Sequence, residues 1–177
     1  DGIVVEEDQA NYAMGLPYYL LPDIGYHTIT SPLRDEGYYV LLPIAQGLTV
    51  DEELPEGVSV TELLTTSANA FSKAAGWSMT TYEREEGDAD GPFALAVAIT
   101  DEVDEDTESK LVWVSSASLL DDQINQQVAG GNEDLFLNAI SWMCGQEDSI
   151  SIHAKSLSYE YLTMDSGTAS LLTVLVV

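Results

Sequence analysis

Basic residues are what this chain has least of. Lys and Arg total 5 against 31 Asp and Glu, a formal net charge of −26. A surface this acidic repels phosphate backbones and anionic headgroups, which argues against nucleic acid as a partner. Cysteine is nearly absent too: Cys144 is the single one, which excludes an internal disulfide framework and any multi-cysteine zinc site. The two histidines, His27 and His153, lie far apart and form no H-x-x-x-H, so no zinc signature is present. Neither G-x-G-x-x-G nor G-x-x-x-x-G-K-[ST] occurs, so no nucleotide fold is signalled and this piece contains no ATPase. The G-x-S-x-G elbow is also missing, and with so few histidine bases a Ser-His-acid triad has little support. Cys144 falls one residue before an expected helix end, beside Trp142 and Met143. An activated thiol belongs at a helix N-terminus, so Cys144 reads as a small packed hydrophobe. The expectation is a protein that is not an enzyme and carries no cofactor.

What is present is a foldable chain. Over 177 residues, 45% are hydrophobic and 20% charged, too apolar for a disordered acidic tail and long enough to bury a core. One domain, or one with a small appendage, is expected. Asp1 to Asp8 is acidic, with no basic n-region and no initiator methionine, so the chain reads as a fragment or a processed product. Ser170 to Val177, SLLTVLVV, carries no charge. It is too short to span a bilayer, which takes about 20 residues. It reads either as a terminal buried strand or as the first turns of a membrane helix.

Patterning predicts strands at Ile3 to Val5, Tyr38 to Ile44, Val58 to Leu64, Phe93 to Thr100, Leu111 to Ser115 and Ile150 to His153. A short helix is expected after Ser31, with Ser31 as cap, Pro32 in the first turn and Gly37 as terminator. Another is expected over Ala68 to Ala75, closed by Gly76. Residues 51–57, 83–91 and 101–108 read as acidic loops, the last joining two strands as a long hairpin connector. Leu119 to Val128 reads as irregular or weakly helical, broken by Gly130 and Gly131. Asn132 then caps a helix whose apolar face carries Leu135, Ala139, Trp142 and Met143, with Gly145 at its C′ position. Strands mixed with few helices point to an α/β layered domain.

Candidate functional positions follow from that fold logic. Ser115, Ser116 and Ser118 come after a strand, where α/β folds place functional groups, and Asn132 opens the main helix. Asp101, Asp104 and Asp106 are weak candidates to converge on a hard cation, against the plainer reading of a solvated acidic loop. Asp88-Ala89-Asp90-Gly91 has part of a calcium-loop turn but lacks the closing Glu. The tyrosines at 12, 18, 19, 26, 38 and 39 either line a groove for a sugar or peptide or simply pack beside the prolines.

One stretch carries a resemblance. GGNEDLFLNAISWMCGQEDSISIHAKSL, residues 130–157, resembles the closing segment of the GldG-like (gliding-motility-type) auxiliary, substrate-binding-like proteins of ABC transporters. The matching positions are Gly131, Asn132, Asn138, Trp142, Gly145, Glu147, Asp148 and Ile150 to Ile152. GPFALAVAIT, KLVWVSSASLLDDQ, HTITSPL, VLLPIAQGL and LLTTSANAFSK look like further pieces of that family in order. The Met143-Cys144 pair departs from the small or leucine residues common there. The resemblance implies a flavodoxin-like or class I glutamine-amidotransferase-like α/β layer with a mixed sheet, incomplete at its N-terminus. It implies residues 1–165 as the C-terminal part of an extracytoplasmic domain and 166–177 as the start of a C-terminal membrane helix. The function it implies is a noncatalytic, membrane-anchored auxiliary component working with ABC permease and ATPase subunits. The alternative is a ligand-binding module for a glycan, peptide or cation.

Overall fold

A computed structural model describes residues 2–104, 107–146 and Ile150. Every strand pairing among them is antiparallel, and three separate sheets result. The strands are β1 (Ile3–Val5), β2 (Tyr19–Leu20), β3 (Asp23–Ile24), β4 (Leu42–Pro43), β5 (Val58–Thr65), β6 (Phe71–Lys73), β7 (Ala89–Asp90), β8 (Ala94–Asp104) and β9 (Thr107–Val114). They assemble as β1-β6-β7, β2-β4 and β3-β5-β8-β9. The helices are α1 (Ser31–Asp35), α2 (Asp122–Gln127) and α3 (Gly131–Met143).

This overturns the expected flavodoxin-like or amidotransferase-like α/β layer. Parallel strands need a crossover of a dozen residues or more, usually helical. Here α1 has only 5 residues, and both α2 and α3 follow the last described strand. No helix is placed to carry a parallel crossover among the described residues. The domain is mainly antiparallel β with a helical cap.

Local expectations fared unevenly. The strands at Ile3–Val5 and Val58–Thr65 and the β8–β9 hairpin follow the apolar patterns. Of the acidic 101–108 stretch, expected as a loop, the described residues instead prolong both strands: Asp101 pairs with Ser109 and Glu102 with Glu108. Ala68 to Ala75, expected as a helix, holds β6 instead. Phe71 and Lys73 are both buried there, and strand pairing with Ile3–Val5 overrides the helix preference of the alanines. Of Tyr38 to Ile44, only Leu42–Pro43 forms a strand, although Val40, Leu41 and Leu42 are fully buried. Thr30, not Ser31, sits at the N-cap of α1, and Gly37 follows the helix at φ +73°. The segment after Leu119 contains α2, whose cap Asp121 accepts from the amides of Gln123 and Ile124. The strand expected at Ile150 to His153 (Ile150 apart) and the run Ser170 to Val177 lie outside the described residues.

The core gathers under α3. Leu135, Ala139 and Trp142 share one buried cluster with Leu63, Leu95, Ala96 and Ala98 of the four-stranded sheet. Register shifts around Leu64 accompany the burial of both Leu63 and Leu64, neighbours that a regular strand would turn to opposite faces. On the sheet's other face, Val60, Ile99 and Leu111 lie in register, with Trp113 beside them at 57% exposure.

Two acidic stretches meet at the far end of this sheet. The Glu102 amide donates to Gly57 O at 2.9 Å, so the 51–57 loop lies against the hairpin. Glu102 stands directly opposite Glu108, and like charges so placed destabilise a sheet. Raising ionic strength from about 10 mM to about 150 mM shortens the screening length from about 30 to about 8 Å. The melting temperature is expected to rise by a few degrees; an unchanged value would contradict this account of the hairpin end.

Candidate functional site

Of the positions singled out, Ser116 and Asn132 converge: their side chains bond the backbone of Pro43 and Leu41 and act as a clamp. Ser116 Oγ donates to Pro43 O at 2.6 Å and accepts from the Ser118 amide at 3.3 Å. Asn132 is not a helix cap: Gly130 holds that position, with φ +94°. The buried Asn132 side chain accepts from Leu41 N at 2.9 Å and donates to Leu41 O at 2.9 Å and Leu119 O at 3.0 Å. Asn138 adds a bond to Ile29 O at 3.1 Å. These amides join α3 to backbone about 90 to 110 residues earlier. They satisfy buried main-chain groups, leaving little capacity for a ligand. Ser115 Oγ is buried without a hydrogen-bond partner.

The cleft beside this clamp is apolar. It holds about 290 Å³ between α3 and β9, bounded by Val112, Val114, Leu119, Phe136 and Met143. Its one hydroxyl, Ser116, is already committed to Pro43. Cys144, expected to be packed, is exposed just past the last turn of α3. Asp101 and Asp104 lie along the extended end of β8, while Asp106 lies outside the described residues. Among the described residues, no group of three or more His, Cys, Asp or Glu is placed to hold a metal ion. No described helix is long and apolar enough to cross a membrane.

A second concavity has different chemistry. It holds about 540 Å³, within the usual range of ligand pockets. Ile3 of β1, itself buried, contributes to it together with Tyr18 and Ile44. The remaining lining comes from Trp77 and from Met79 to Tyr82. Trp77 is 80% exposed on the 3-10 turn Gly76–Ser78. Tyr18 and Tyr82 stand with ring centroids 5.2 Å apart. The hydrogen bond that Tyr18 donates to Tyr82, aided by burial, holds the Tyr18 phenol above its ordinary range, so it stays protonated. None of the lining side chains is charged at neutral pH, in a chain of net charge −26.

The groove is held by buried charge and by backbone strain. Lys73 is fully buried, and its Nζ donates to Glu83 O at 2.9 Å, Glu85 Oε2 at 2.5 Å and Asp88 Oδ2 at 3.0 Å. Burial works to lower the Lys73 pKa, but the Glu85 and Asp88 carboxylates outweigh it and hold it above the usual lysine value. Burial likewise works to raise Asp88, but the amides of Glu85 and Ala74, then Lys73, hold it below the usual carboxylate range. Arg84 pairs with Asp90, reaches Glu7 at 3.6 Å and covers the Phe71 ring. Two of the chain's five basic residues thus fix the segment that continues directly from the groove wall. Across the groove, Ile44 has φ +54°, a costly conformation for a β-branched residue, with its amide bonded to Tyr18 O at 2.9 Å. Strain of this kind concentrates at functional sites.

With this geometry in hand, comparison with known proteins adds no assignment: no family model, no curated protein and no solved structure matches the chain. Sequence reading had placed Tyr18 among candidate groove tyrosines. It missed Trp77, Tyr82 and Lys73. An alternation that buries both Phe71 and Lys73 gives no local signal distinct from a short helix.

Proposed function

We propose that this chain is a noncatalytic binding module whose recognition surface is the groove of Tyr18, Ile44, Trp77 and Tyr82. The observation that carries the reading is Trp77, a large aromatic left 80% exposed in a concavity whose adjoining segment is tied to a buried lysine. Exposed aromatics on a preorganised frame supply binding area at low entropic cost. The test is a thermal-shift screen of uncharged, cationic and anionic small molecules, since a native-state ligand raises the melting temperature. Stabilising ligands are expected to lose their effect in Trp77→Ala, while the ligand-free protein melts within about 1 °C of wild type, as exposed positions do. Stabilisation that survives Trp77→Ala would move the site elsewhere and overturn the reading.

Membership of an ABC transport complex, outside the cell membrane and beside a permease and ATPase, is a separate proposal. The layered fold that came with that resemblance is not the fold of this chain. Its physical support is the outward sheet face of Val60, Ile99, Leu111 and Trp113, which suits contact with a neighbouring subunit. Purification of the full protein from native membranes tests it: a co-purifying permease and ATPase would support it, and recovery alone from the soluble fraction would contradict it.

A further inference from the structure

We propose that the ligand class of this groove is carbohydrate, a neutral sugar ring laid on the Trp77 indole with its hydroxyls toward Thr80, Tyr18 and Tyr82; this rests on the groove being the binding surface. Three features of the groove point the same way.

The first is charge. A chain of net charge −26 repels anions over its whole surface, so nucleotides, phosphates and acidic peptides are disfavoured. Cations would be drawn in, but an ammonium over a solvent-open aromatic face is held only weakly, the strong cases being desolvated cages. The lining offers no carboxylate, and Trp77 stands open to solvent. An uncharged ligand meets neither obstacle.

The second is the pairing of aromatic faces with hydroxyls. A sugar ring has a face of C–H groups that packs on an indole by dispersion and weak C–H contacts. Its edge carries hydroxyls that both donate and accept. The groove answers with groups of the same kind: the phenols of Tyr18 and Tyr82 and the exposed Thr80 hydroxyl. Thr81 is partly engaged already, accepting from the Glu83 amide at 3.1 Å.

The third is rigidity. Sugars bind weakly per atom, so a surface that must first order itself would forfeit much of the gain. Here the wall runs straight into the segment that buried Lys73 gathers through Glu83, Glu85 and Asp88.

The experiment is affinity electrophoresis of the purified chain through gels holding soluble β-glucan, xylan, mannan or starch. Calorimetry with chitin and cellulose oligosaccharides accompanies it, and tetramethylammonium chloride and an uncharged peptide serve as counter-probes. At least one carbohydrate is expected to bind. Trp77→Ala and Tyr82→Ala should each weaken that binding by about tenfold or more, the scale of a lost anchor contact. Trp113→Ala, on the far sheet face, should leave it unchanged. Melting curves of each variant separate lost binding from lost fold, and Trp77→Phe should restore part of the affinity. If no carbohydrate binds but tetramethylammonium or the peptide does so in a Trp77-dependent way, the ligand class is wrong and the binding surface stands. If nothing binds in a Trp77-dependent way, both readings fall.

Discussion

Replacing Lys73 with methionine is expected to lower the melting temperature by on the order of 10 °C, the scale for breaking a buried ion pair in a chain of this length. Methionine matches the length of the lysine stem but offers nothing to Glu83 O, Glu85 or Asp88. Asp88 is then the costly group. Its side chain is 3% exposed, and it keeps only the amides of Ala74 and Glu85. An uncompensated buried charge costs more than the pair ever contributed. The pH dependence has a defined sign. Lys73 is raised in the folded state, so its contribution is complete below the unfolded lysine value of about 10.4 and fades as pH rises through the folded value. Asp88 is lowered, so its contribution is complete above the unfolded value of about 3.9 and fades as pH falls through the folded value. Lys73→Met should therefore lose part of the wild-type decline in strong alkali. The double variant Lys73→Met, Asp88→Asn should recover part of the lost stability. A single variant that melts like wild type would remove the buried network from the account.

Gly131→Ala is expected to cost about 1 to 2 kcal/mol, with the opposite sign to helix propensity. A methyl at this position would lie 2.1 Å from Tyr39 O, a backbone atom. Ordinary glycine-to-alanine exchange in a helix gains about 1 kcal/mol. Here overpacking reverses it. The usual escape, a small shift of the helix, is blocked by the neighbouring Asn132, which bonds both the amide and the carbonyl of Leu41. Gly145→Ala is the natural comparison. That glycine has φ +65° but open space around it, so only the left-handed backbone cost of about 1 kcal/mol applies. Denaturant midpoints at equal m-value measure both. A stabilised Gly131→Ala would show that α3 does not approach Tyr39 so closely.

The sequence carried the short-range pattern of this fold and hid its long-range pairing. FALAVAIT and LVWVS read correctly as paired strands, and Gly145 and Gly37 read correctly as helix ends, while the start of α3 lies earlier than the expected Asn132 cap. The α/β class did not follow from them, because which strand meets which is settled by contacts such as Val5 with Phe71, 66 residues apart. The extension of β8 and β9 into acidic residues ran against strand propensity, and pairing with β5 and with each other outweighed it. The candidate serines and Asn132 were prominent because they follow a strand or open a helix, and the side chains of Ser116 and Asn132 bond to buried backbone. Trp77 and Tyr82 sit in a stretch with no repeat or motif. What makes them notable is the concavity they share with Tyr18, which lies about 60 residues away.

The three tryptophans allow the most direct test of the groove. Trp77 stands in it, Trp113 faces out from the sheet, and Trp142 is buried beside His27 at a ring distance of 5.1 Å. In a nitrogen-15 correlation spectrum each indole gives one N–H signal, assigned by single substitution. Titration with the neutral oligosaccharide panel is predicted to move the Trp77 signal while those of Trp113 and Trp142 stay in place. A spectrum in which Trp113 moves and Trp77 does not, or in which all three are static across the panel, would contradict the groove as the recognition surface.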